Sequence, residues 1–162
     1  MPVLIQLMQE SDQTHLVLEA SWCIVNLALG DSMQIRHMVE SGLYHATHKV
    51  ICSKHEKLFE QAAWIIANIS QEDDKHKLEF QKLGCHYPLI EKIHSCEPVK
   101  DFDVLKYTVW SLSSLVKSSK IVGTNEFSDY LVIPFVKILL TQNDPEMLSN
   151  SLSAIASLMD DR

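Results

Sequence analysis

The chain has 162 residues, of which 46% are apolar, 22% charged and 7% aromatic, and its 14 Lys plus Arg against 21 Asp plus Glu leave a formal charge of -7. These proportions belong to a soluble globular fold and exclude a disordered tail, a collagen and a membrane bundle. The negative balance has the wrong sign for a sequence-independent phosphate-binding surface, so no nucleic-acid partner is expected and a charged partner should be basic.

At this size a folded chain buries roughly 68–70% of the surface its unfolded form exposes, which predicts one domain over residues 1–162. Cys23, Cys52, Cys85 and Cys96 are spread too thinly for a disulfide scaffold and fit a reducing compartment. The start Met1-Pro2-Val3-Leu4-Ile5 carries no basic region of a secretory signal. The longest apolar run, Tyr130 to Leu140, is broken by Lys137 and falls short of the ~20 residues a bilayer span needs, so no membrane partner is expected.

Glycine and proline are scarce, and apolar residues recur at three- and four-residue spacing, so the chain reads as all-helical. In chain order, Pro2-Val3-Leu4-Ile5-Gln6-Leu7 opens a short apolar segment, because proline suits the first turn of a helix. Ala20-Ser21-Trp22-Cys23-Ile24-Val25-Asn26-Leu27 follows. Next come three predicted helices, Asp31–Ser41, Leu43–Ser53 and His55–Ser70, with Asp31 as an N-cap and Gly42 as the turn between the first two. The last of them contains Ala62-Ala63-Trp64-Ile65-Ile66-Ala67-Asn68-Ile69, which repeats the earlier Trp-x-x-x-Asn-apolar pattern after 42 residues, and Gly84 follows Gly42 by the same 42.

Pro88 then opens a third short segment, and the connection Cys96 to Asp103 leads to Tyr107-Thr108-Val109-Trp110-Ser111-Leu112-Ser113-Ser114-Leu115, where serine takes the asparagine slot. Pro134 opens the fourth, and Ser153-Ala154-Ile155-Ala156-Ser157-Leu158 repeats the motif without either marker residue. From Trp22 to Ala46, Trp64 to Pro88 and Trp110 to Pro134 the count is constantly 24. A constant segment joined to a variable loop, repeated, is the requirement of a stacked helical solenoid. The predicted units are 1–30 (partial), 31–72, 73–118 and 119–162. Neither end carries the polar closing unit a solenoid normally has, so the chain is expected to be a piece of a longer one or to have neighbouring protein chains at its ends.

Gln61, Trp64, Asn68 and Glu72 stand at i, i+3, i+7 and i+11 and share one helix face. The equivalent stripes are Glu19, Trp22, Asn26, Gly30; Tyr107, Trp110, Ser114, Ser118; and Asn150, Ser153, Ser157, Asp161. A lone helical tryptophan ordinarily packs into a core, and an asparagine near a helix end ordinarily caps a turn. Repetition at the solenoid period, beside Gln and Glu on the same face, favours a binding surface instead. Stripes ~10 Å apart would match every third residue of an extended peptide. The Asn26 and Asn68 amides could then hold its backbone. A slot between parallel indoles would take the aliphatic stem of a Lys or Arg, whose charge would face Glu19, Glu72 or Asp31.

The Ala-Trp-x-x-x-Asn-Ile/Leu motif on the third helix of a ~42-residue unit resembles the armadillo repeat. Glu19 to Gly30 and Glu60 to Ile69 are similar to the groove motifs of importin alpha, the nuclear-import adaptors, and Asn143-Asp144-Pro145-Glu146-Met147-Leu148 resembles the lead-in to a later repeat. The resemblance implies a right-handed superhelical all-α solenoid of about four three-helix repeats, the first incomplete. It also implies a non-enzymatic adaptor, cytoplasmic and nuclear, that holds a lysine- or arginine-rich localisation signal. By position it assigns peptide contacts to Trp22, Asn26, Gly30, Gln61, Trp64, Asn68, Glu72, Trp110 and Ser114. Ser114, Ser153, Lys106 and Lys117 depart from the pattern, and no basic N-terminal arm is visible. A divergent scaffold subunit with a weakened signal site therefore stays open.

Other chemistry finds little support. Cys85, His86, His94 and Cys96 lack the paired spacing of a zinc site, and no phosphate loop or nucleophile elbow occurs. The reading predicts no enzyme, no metal and no cofactor.

Overall fold

The computed structural model describes residues 1–97, 102–117 and 125–160, the last segment with its side chains from residue 130 onward. Among the described residues the helices are α1 (Pro2–Glu10), α2 (Thr14–Leu27), α3 (Ser32–Glu40), α4 (Leu43–Ile51), α5 (Glu56–Ser70), α6 (Asp74–Lys82), α7 (His86–Ser95), α8 (Phe102–Val116), α9 (Asn125–Thr141) and α10 (Pro145–Asp160). The fold is all-α, and no described helix is long and apolar enough to cross a membrane.

Local chemistry sets the helix ends. The Asp31 carboxylate accepts the Gln34 backbone N–H at 2.9 Å, Asp73 accepts that of Lys75 at 2.9 Å, and Asp144 accepts that of Met147 at 2.9 Å, each satisfying a donor that the first turn leaves free. Gly42 and Gly84 turn the chain between helices with φ of +96° and +78°, the left-handed region that a Cβ makes costly.

The long third helices form one continuous layer, with α2 packed on α5, α5 on α8 and α8 on α10. In α5 the residues Leu58, Ala62, Ile65, Ile66 and Ile69 are all buried, because a neighbour lies on each side. The second helices line another layer, α1 against α4 and α7 against α9. Side chains from one layer also close carbonyl ends of the layer before it. Lys49 Nζ donates to the Gln9 carbonyl at 2.5 Å, and Lys137 Nζ donates to those of Ile93 and His94 at 2.8 and 3.0 Å. In the third-helix layer, Gln81 on α6 donates to the Leu115 carbonyl of α8 at 2.7 Å.

One expected helix start is displaced. Pro134 lies inside α9 rather than at its opening. The turn that separates α3 from α4 and α6 from α7 is made by glycine, and 46 residues beyond Gly84 the chain carries Tyr130. Without a residue suited to positive φ the helix runs on, and Pro134 leaves the Tyr130 carbonyl without its i+4 donor. The variable connection from Cys96 to Asp103 includes residues 98–101, which lie outside the described residues, as do Ser118 and Asp161.

Candidate functional site

The third-helix layer brings the stripes together. Trp22 on α2 and Trp64 on α5 meet edge to face, ring centroids 5.7 Å apart and planes at 68°. Trp64 is stacked in turn on Tyr107 of α8, at 4.9 Å and 16°. The rings in contact are two indoles and the phenol of Tyr107, which stands where Trp110 was expected, and the row is closed. An aliphatic stem between two ring faces needs carbon contacts of about 3.5–4.0 Å on each side, and neither gap beside Trp64 provides them. The expected open slot between parallel indoles is corrected by these contacts. Rings on adjacent helices gain more by covering each other than by standing apart in water.

Trp22 is 44% exposed, whereas Trp64 and Trp110 are half-buried. The two asparagines differ. Asn26 is exposed and turns its Nδ2 back onto the Trp22 carbonyl at 2.8 Å. Asn68 is half-buried, and its Nδ2 has neither solvent nor a hydrogen-bond partner. Gln61, expected on the surface stripe, is buried at 8% exposure with its Oε1 unpartnered. Ser114 is buried as well, so the third stripe offers Trp110 and Tyr107 rather than a carboxamide. In the fourth, Asn150 accepts a bond from Lys117 Nζ at 3.3 Å.

Glu72 belongs to a network that its spacing from Trp64 did not reveal. Its carboxylate accepts from His76 Nε2 at 2.7 Å, while His76 Nδ1 meets the Tyr44 hydroxyl at 2.5 Å. Both contacts are satisfied with the Nε2–H of His76 donating to the Glu72 carboxylate and the Tyr44 hydroxyl paired with Nδ1. Hydrogen bonds from Ser32 first, and then from His76, hold the Glu72 carboxyl below its usual range. Burial, with Glu79, Asp73 and Glu72 adding to it, pushes the Tyr44 phenol up to about 12. The i, i+4 spacing of Glu72 and His76 was the available sequence signal; Tyr44 comes from another helix and left none.

Charge is unevenly spread over the layer. Asp31 caps α3, Asp73 caps α6 and pairs with Lys75 at 3.1 Å, and Asp74 pairs with Lys77 at 2.6 Å. Glu19 is exposed and forms no ion pair among the described residues. Lys106 is ion-paired with Glu146, and Lys117 is pulled below its usual range by burial and then by the neighbouring Lys77. Gly30 is exposed, and a Cβ there would meet the end of the Gln34 side chain.

No family model matches the chain. It is similar to importin subunit alpha-6 of Arabidopsis thaliana, 24% identical over 159 residues, and to importin subunit alpha-1b of Oryza sativa, 27% identical over 159 residues. Both alignments take in 98% of this chain and 29% of the relative, so the chain spans less than a third of the length of the curated relatives it matches. Among solved structures it is similar to an engineered protein with a TM-score of 0.80 at 21% identity, covering 99% of this chain and 62% of that one. A designed armadillo repeat protein in complex with the peptide (KR)4 gives a TM-score of 0.77 at 25% identity, covering 96% and 63%. The fold is an armadillo-type solenoid, and the chain resembles a partial, divergent importin alpha.

Proposed function

We propose that the chain is a non-enzymatic peptide-binding module that holds a lysine- or arginine-rich extended segment along the α2–α5–α8 layer, as a nuclear localisation signal receptor working between cytoplasm and nucleus. The observation that carries this reading is the row of Trp22, Trp64 and Tyr107, each ring touching the next, on three successive third helices. The carboxamides of Asn26 and Asn68 stand one turn beyond the indoles. The amide nitrogen of Asn68 is a buried donor without an acceptor, a costly state that a peptide carbonyl would relieve after a small side-chain rotation. Glu19 and the Glu72–Asp74 turn supply the acidic side that a basic peptide needs. The complex of a similar designed protein with (KR)4 supports the same chemistry.

Titration of the intact chain with a (KR)4 peptide tests the reading. Binding should weaken with salt, and Trp22→Ala should lower affinity by about tenfold or more, as for an exposed aromatic contact. Asn68→Ala should weaken binding while leaving the melting temperature unchanged or raised, since it removes an unpartnered buried amide. Absence of binding at low salt rejects the proposal.

A second reading has its own observation. Apolar residues are exposed on the outer layers, Val3 at 66% and Leu152 at 58%, as in a scaffold held by neighbouring chains. In that reading the groove is secondary.

A further inference from the structure

The slot three residues before each marker position on the third helices holds Glu19, Gln61, Tyr107 and Asn150. Tyr107 is the aromatic residue of this set, and its ring lies flat on Trp64 with centroids 4.9 Å apart and planes at 16°. Trp22 meets the same indole edge to face, with centroids 5.7 Å apart and planes at 68°. Trp64 is thus in contact with two of the protein's own rings, and the face it turns to Tyr107 is covered. Trp22 differs in being 44% exposed.

Resting on the groove reading above, we propose that Tyr107 is a specificity-determining residue of the groove. Its ring fills the slot beside Trp64, so that a bound peptide can lay a long cationic side chain on Trp22 but must place a short side chain opposite Trp64. The selected ligand is then a basic peptide with a small residue inside its run of lysines and arginines. The cause is geometric. Two stacked rings cover the faces they share, and a lysine stem could enter between Trp64 and Tyr107 only by displacing the phenol and forfeiting the stacking. The phenol hydroxyl plays no part in this exclusion; the ring does.

The test uses the intact chain and the (KR)4 peptide, followed by titration calorimetry. Tyr107→Gln and Tyr107→Asn carry the residues that the preceding and following repeats have in this slot, and Tyr107→Phe keeps the ring. Opening the slot should tighten (KR)4 binding by on the order of tenfold in the Gln and Asn variants. Tyr107→Phe should match the parent. A lysine-rich peptide with one central alanine should outperform (KR)4 on the parent chain, and the order should reverse in Tyr107→Gln. Circular dichroism checks that each variant folds, and the two-peptide comparison on the parent needs no variant at all. Equal or weaker (KR)4 binding in the folded Gln and Asn variants, or a parent that prefers (KR)4, overturns the role of Tyr107 while leaving the groove reading intact. No binding of either peptide to parent or variants overturns both.

Discussion

Two titratable residues tie single side chains to the stability of the stack. His86 opens α7 and is buried, and loss of hydration drives its imidazole down to about 4. The unfolded state therefore takes up a proton near the ordinary value of 6.5 while the folded state stays neutral. Its contribution is complete above pH 6.5 and is lost as pH falls toward 4. Acidification over that window should cost on the order of 2–3 kcal/mol, read as a falling melting temperature that flattens in His86→Leu. Glu72 acts lower on the scale. Its carboxyl is held down by Ser32 and His76, so the stability it adds is present above its ordinary value of 4.5 and is lost as pH falls through its folded value. An acid transition with the same slope in the parent and in both His86→Leu and Glu72→Gln would contradict this account.

At the scale of the element, the glycines divide into those that shape the backbone and those that do not. Gly42 sits at φ +96°, and a Cβ there would also approach Gln9 Nε2 at 3.0 Å. Gly42→Ala should therefore cost about 1–2 kcal/mol in urea unfolding. At Gly30 a Cβ would displace the flexible Gln34 carboxamide and approach the Leu27 carbonyl at 3.0 Å, but φ is not positive, so Gly30→Ala should cost less than Gly42→Ala, below about 1 kcal/mol. Equal losses at the two sites would refute the distinction. This division also explains what could be read from the chain beforehand. Gly42, the Asp31 cap and the periodic apolar residues act locally, and the predicted helices over 31–70 agree with α3, α4 and α5 to within about two residues. Where a local signal is missing, as at Tyr130, the expected opening at Pro134 is not made and α9 continues through it. The aromatic row was legible at Trp22 and Trp64, which repeat at the layer spacing, but not at its third ring, which is Tyr107 rather than Trp110. Its closure was not, because the angle between Trp64 and Tyr107 depends on how α5 and α8 pack, and so does the burial of Gln61.

Over the whole molecule, burial by slot shows what each layer requires of its neighbours. Val3, Thr47, Leu89 and Phe135 occupy one slot of the second helices; the last three are fully buried, while Val3 is 66% exposed. In the third helices Cys23 is exposed where Ile65, Ser111 and Ala154 are fully buried. The pattern inverts at the other side of the stack. Leu152 is 58% exposed where Ser21, Ala63 and Val109 are buried, and Met159 is 51% exposed where Ala28, Ser70 and Val116 are buried. One set of slots is covered by the preceding layer and the other by the following layer, so the two outer faces are complementary to each other rather than to themselves. Copies of the 162-residue chain should then associate head to tail, a heterologous contact that does not close on itself. Sedimentation velocity should show a coefficient that rises with concentration. Val3→Glu and Leu152→Glu should each abolish the rise, and an equimolar mixture of the two should regain a dimer and nothing larger, because it holds one intact face of each kind. A monomer at every concentration would mean that the exposed slots are too small or too hydrated to drive stacking, and the complementarity of the outer layers would carry no energetic weight.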